Sequence, residues 1–175
     1  MVTRAVKSAV APRALATPTD LEPEAVEAIG DTVNPLIADA LALYLKCKNF
    51  HWHVAGPHFR DYHLLFDEQA ESALASVDLL AERVRRIGGT TLRSVTHVSR
   101  LQTIEDDNDE LVSAGQMLQR LLDDNRQMAE RQRAAIEVCD EHGDTPTGNV
   151  LQEILDQTEK RIWFLFEASR GGHTS

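Results

Sequence analysis

Apolar residues return at steps of three and four through most of this chain, the period of an amphipathic α-helix. The most regular stripe is Phe66, Ala70, Ala73, Val77, Leu80, Val84 and Ile87, the spacing of packed helical bundles. It predicts a helix from about Phe59 to Ile87, stopped by Gly88-Gly89. Upstream, Leu36, Ala40, Leu43, Cys47 and Phe50 line one face of a helix expected from Pro23, a good first-turn residue, to about Trp52. Pro35 falls inside that span and should kink or divide it. Gly56-Pro57 closes the segment.

A third long helix is expected from Ser113, with Gln116 completing a capping box. It should run through Leu118, Leu121, Met128 and Ala135 to about His142, before Gly143. Thr145-Pro146 reads as an N-cap and N1 proline opening a last helix to about Ser169. The connection from residue 90 to about 109, expected to carry a short helix around Leu92 to Leu101, is too long for an antiparallel hairpin. It suits two parallel helices joined end to end, so the fold class is an all-α four-helix bundle with one long crossover. Residues 1–20, rich in Ala, Pro and Thr, are expected to form a flexible basic tail; 21–170 form the bundle and 171–175 a short C-terminal tail.

Composition narrows the function. The chain has 175 residues, 42% of them hydrophobic, enough for one core. Its net charge of −10 argues against a surface that grips nucleic acid all over, and fits one that attracts cations. Cys47 and Cys139 are too few for a disulfide framework, and no apolar run approaches the roughly 20 residues that cross a bilayer. The first 19 residues hold Arg4, Lys7 and Arg13, no acid and no apolar signal core. A cytoplasmic protein is expected, with an organelle transit peptide as the minor alternative.

The chemistry concentrates on the second helix. At about 100° per residue, His63, Asp67, Asp78 and Glu82 fall near 0°, 40°, 60° and 100°, about 120° from the core stripe. Asp67 and Asp78 are nevertheless about 16 Å apart along the axis, too far for one metal site with bonds near 2 Å. The pattern therefore reads as two half-sites, each an i, i+4 pair. A second, antiparallel copy crossing level with residues 72 and 73 would bring His63 to Glu82 of the partner subunit, and Asp67 to its Asp78, giving two equivalent sites per dimer. His51, ahead of the Gly-Pro turn, adds a further ligand, and the N/O set suits Fe(II), Mn(II) or Zn(II). Glu71 and Leu74 lie on the same arc. His53, two residues from His51, faces elsewhere, and His97 and His142 read as surface or capping residues.

The stretch KNFHWHVAGPHFRDYHLLFDEQAESALASVDLLAERVRRIGG, residues 48–89, resembles the signature of the Dps family of ferritin-like miniferritins, in HWxxxG followed by HxxxD and DxxxE. The resemblance extends from about residue 24 to the Trp163 region. It implies an inter-subunit ferroxidase centre with His51, His63 and Asp67 from one chain and Asp78 and Glu82 from another. It further implies a hollow dodecamer, built from two-fold dimers, that oxidises Fe(II) preferentially with hydrogen peroxide and stores the ferric product, protecting the cell and its DNA. Trp52 would intercept oxidising equivalents. Acidic pores are also implied, with Glu141, Asp144 and Glu153 as candidates. Basic tails in some members bind DNA without sequence preference, which makes Arg4, Lys7 and Arg13 candidate phosphate contacts and the nucleoid a possible location.

Other readings compete. A ferritin with metals inside each bundle uses Glu-x-x-His, and none of the seven histidines has Glu three residues before it. The same absence opposes a dimanganese catalase. A non-specific DNA-compacting protein with a lost metal site has the intact five-ligand set against it.

Overall fold

The computed structural model describes residues 13–170. Arg4 and Lys7 of the expected tail, and residues 171–175, lie outside them. A 3-10 turn at Arg13–Leu15 precedes five α-helices: α1, Pro23–His53; α2, Phe59–Arg86; α3, Val95–Leu101; α4, Ala114–Glu141; and α5, Thr145–Ser169. α1 packs chiefly on α2 and α4 chiefly on α5, while the α1–α4 and α2–α5 contacts close the two hairpins into a four-helix bundle. The crossover runs from α2 to α4 with α3 lying against α1.

The helix limits arise from local chemistry. Pro23 opens α1, and Gly56 (φ 96°) with His58 (φ 64°) turns the chain into α2. Arg83, Arg85 and Arg86 fill the last turn of α2, where cations complement the helix dipole. Gly88 (φ 91°) is needed twice over, because a Cβ there would come within 3.2 Å of the Thr17 carbonyl. The capping box at α4 is formed: the Ser113 hydroxyl accepts from the Gln116 amide, and the Ser113 amide donates to Gln116 Oε1. Two local expectations are narrowed or corrected. α1 passes through Pro35 as one helix, with Val33, Leu36 and Ile37 around it all buried in one apolar cluster that outweighs the lost hydrogen bond. The N-cap of α5 is Asp144, not Thr145: its carboxylate accepts from the Thr147 amide at 3.1 Å, a stronger cap than a hydroxyl.

The core divides along the bundle. Phe50, Phe66, Met117, Leu121 and Leu165 fill one end under Ile104 and Val112 of the crossover. Val26, Ile29, Leu36, Leu80, Val84 and Leu151 fill the other. The crossover is fastened by Asp39, fully buried on α1, which accepts from the Thr103 and Ile104 amides and the Thr103 hydroxyl and pairs with Arg131 of α4. At the opposite edge the Arg85 guanidinium donates to the Leu15 carbonyl, and the Thr17 hydroxyl donates to the Arg85 carbonyl. Residues 15–17, expected to belong to the tail, are thus tied to the end of α2. No helix is long and apolar enough to cross a membrane among the described residues.

Candidate metal centre

The turn between α1 and α2 brings His51 and His63 face to face, their rings stacked with centroids 3.7 Å apart. Each is oriented by the other's backbone: His51 Nδ1 lies 2.7 Å from the His63 carbonyl, and His63 Nδ1 lies 2.9 Å from the His51 carbonyl. A carbonyl can only accept, so each Nδ1 carries the proton, and in the neutral ring the lone pair sits on Nε2. That is the tautomer a metal requires, held by the kind of outer hydrogen bond that metal-binding histidines use. Phe59 backs His63, with centroids 5.2 Å apart.

Asp67 lies one turn after His63, half-buried, and its carboxylate is held by the Lys48 ammonium from α1. The Lys48 hydrogen bond, assisted by His51 and His63, keeps the Asp67 carboxyl below the usual carboxylate range and raises the Lys48 ammonium in turn. Asp67 is therefore a ready anion with a cation already on it. Lys48 stands one turn before His51 within the motif, but a lysine is not a metal donor, so the donor pattern in the sequence passes over it. A lysine placed three residues before a ligand on the same helix was the available signal.

Asp78 and Glu82 lie about three and four turns beyond Asp67 along α2, both exposed, with Glu82 ion-paired to Arg86. The chain does not bring them to the histidines. Among the described residues no three His, Cys, Asp or Glu side chains of one chain converge closely enough to hold a metal ion. On the same arc of α2, Leu64 and Leu74 are exposed apolar side chains, and Trp52 beside His51 is 62% exposed.

The remaining candidates separate cleanly. His53 turns back to the Asn49 carbonyl and is exposed; His142 is the C-cap of α4. Asp144 cannot line a pore: it is 3% exposed and engaged by Arg83 and Thr147, because capping α5 from a buried turn demands a paired carboxylate. Glu141 and Glu153 remain exposed. The bundle centre is no rival metal site. Arg161 is buried there, held by Asn125, Ser72 and Thr158 at 2.8–2.9 Å, and burial alone lowers its pKa to about 10. A fixed cation in that position repels metal ions.

The ferritin-like domain family matches residues 31–168. Among curated relatives, the DNA protection during starvation protein of Brevibacillus brevis is 32% identical over 133 residues, spanning 76% of this chain and 89% of that protein. A low temperature-induced protein of Nostoc is 31% identical over 146 residues, 83% of this chain and 82% of its own. Among solved structures, DpsC from Streptomyces coelicolor superposes with a TM-score of 0.86 at 27% identity, covering 94% of this chain and 95% of that one.

Proposed function

Because the chain belongs to the ferritin-like domain family, and within it to the Dps proteins, we propose that it is a miniferritin whose substrate, Fe(II), is oxidised at sites shared between two copies of the chain. The observation that carries the reading is the histidine pair, each Nδ1 locked on a backbone carbonyl and each Nε2 left for metal, beside the anionic Asp67. Asp78 and Glu82, exposed on the same arc of α2, complete that set only from a partner subunit. The ligands from one chain would be His51, His63 and Asp67; the partner subunit would supply Asp78 and Glu82. Exposed Leu64, Leu74 and Trp52 around the ligands give the two copies apolar surface to bury.

Two imidazoles and three carboxylates bind Fe(II) and hold Fe(III) still more firmly, since hard anionic oxygens favour the higher charge. Two Fe(II) ions give one electron each to a hydrogen peroxide, whose O–O bond breaks. Its oxygens and those of two waters enter two ferric oxyhydroxide units, and four protons leave. Removing peroxide and Fe(II) together is what protects DNA, and the product would be stored inside a dodecamer. Trp52, adjacent to His51, would take up stray oxidising equivalents. Arg4, Lys7 and Arg13 of the N-terminal tail would hold DNA phosphates in the cytoplasm, at the nucleoid.

The test is complementation between half-sites. A His63→Ala/Asp67→Ala chain and an Asp78→Ala/Glu82→Ala chain are each expected to lack peroxide-driven iron oxidation. Co-assembled, each mixed dimer regains one intact site, and up to about a quarter of wild-type activity should return for random pairing, in which half the dimers are mixed. Mixtures as inactive as the separate variants, despite mass-spectrometric proof of mixing, would exclude a shared site.

A further inference from the structure

Arg161 is a buried cation, 4% exposed, with no counter-ion among the described residues. Its guanidinium donates to three neutral oxygens: Asn125 Oδ1 at 2.8 Å, the Ser72 hydroxyl at 2.9 Å and the Thr158 hydroxyl at 2.8 Å. A guanidinium has five N–H groups, so one on Nη1 and one on Nη2 find no acceptor among the described residues. Even with its pKa lowered to about 10, the group is charged at neutral pH. The Cys47 thiol, whose charge it would feel, is pushed up to about 12 by burial and stays neutral. A buried charge left unpaired is costly, and that cost favours any anion able to reach it.

A cavity of about 610 Å³ between α2 and α5 leads to this group. The Ser72–Arg161 and Arg83–Thr147 hydrogen bonds set the two helices antiparallel. Arg161 and Ser72 therefore close one end of the cavity, and Ala75, Leu79 and Ile154 line it further along. Glu153 and Asp156, both exposed, stand about 12 Å and about 8 Å from Arg161 along the α5 axis. On α2 the lining residues centre about 120° from the arc that carries the metal ligands, so the cavity belongs to a separate face.

We propose that this cavity binds a small monocarboxylate with an apolar body, its carboxylate on Arg161 and its body against Ala75, Leu79 and Ile154. Two N–H groups of one guanidinium can receive the two oxygens of a carboxylate, the strongest pairing an arginine makes. Arg161 is the one cation lining the cavity, and Glu153 and Asp156 repel a second negative charge, which disfavours a phosphate dianion. Exposed Ala75 and Leu79 offer apolar surface that an inorganic ion would leave uncovered. The volume is that of a site for a small organic molecule. The cavity shares no residue with the metal centre, so iron oxidation can succeed or fail without bearing on it.

Isothermal titration of the full chain with 3-phenylpropionate at pH 7 is expected to show saturable binding, one molecule per chain, with a Kd below about 1 mM. The neutral analogue 3-phenylpropanamide should bind at least about tenfold more weakly, because it loses the charge-assisted bonds. Gln157, exposed and one turn before Arg161, also lines the cavity. Gln157→Glu sets a carboxylate at i, i+4 from the guanidinium and so supplies the counter-ion from within the chain. It is expected to weaken 3-phenylpropionate binding at least about tenfold while helical circular dichroism stays unchanged. Four results would each overturn the assignment: no saturable binding by the wild-type chain, equal affinity for the amide, inorganic phosphate bound as tightly as the carboxylate, or full affinity in Gln157→Glu.

Discussion

Lys48 holds the carboxylate that an incoming metal needs, and it does so from the helix that also supplies His51. The ammonium acts as an internal counter-ion, stabilising Asp67 as an anion in the absence of iron and competing with iron for the same oxygens. Because both side chains are partly exposed, solvent screening keeps the pair weak. Lys48→Gln is accordingly expected to tighten Fe(II) binding by up to about fivefold, read by anaerobic titration calorimetry. Weaker binding in the variant would show instead that the ammonium positions Asp67 for the metal. The two histidines are fixed more rigidly, since each Nδ1–H has a backbone carbonyl to itself and the rings stack.

At the scale of elements, the metal-binding hairpin depends on how α1 is fastened to the crossover. Asp39 is fully buried and satisfies two amides and a hydroxyl of the crossover while pairing with Arg131. Asp39→Ala leaves the buried Ile104 amide without its acceptor, while exposed Thr103 and partly exposed Arg131 can turn to water. A loss of about 1–3 kcal/mol is expected, chiefly from the unpaired buried amide, seen as a lower urea midpoint with an unchanged slope. Faster amide exchange at Thr103 and Ile104 should accompany it. A variant as stable as wild type would mean that the crossover is held by its apolar contacts, Ile104 above all, rather than by this carboxylate.

For the whole molecule, the decisive question is which surface covers the ligand-bearing face of α2. Leu74 lies among the ligands and is 41% exposed in the single chain. If antiparallel copies of α2 cross level with residues 72 and 73, Leu74 of one chain lies opposite Glu71 of the other, close to the two-fold axis. Metal-ligand distances tolerate errors of only about 0.2 Å, so a small separation of the two helices spoils both sites at once. Leu74→Glu is expected to keep its helical circular dichroism while losing the native assembly on size exclusion, peroxide-driven iron oxidation, or both. A variant of native size and full activity would move the axis elsewhere. Deleting residues 1–12, which precede the described fold, should leave assembly and iron oxidation intact while lowering DNA retention; equal retention would remove Arg4 and Lys7 from DNA binding.

The chain's period of three and four was enough to set out four long helices, a crossover helix, the Ser113 capping box and the arc holding His63, Asp67, Asp78 and Glu82, because a helix converts sequence spacing directly into direction. Spacing alone also separated that arc into two halves, since rise per residue is as fixed as angle. Tertiary structure decided the rest, wherever an interaction joins residues distant in sequence. Pro35 stayed inside one helix because Val33, Leu36 and Ile37 are buried by other helices. Asp144, a candidate for an acidic pore by its position, became a buried cap because Arg83, 61 residues away, reaches it. Lys48 became the partner of Asp67, and the end of α2 met residues 15–17 at Arg85, only because the bundle folds those segments together.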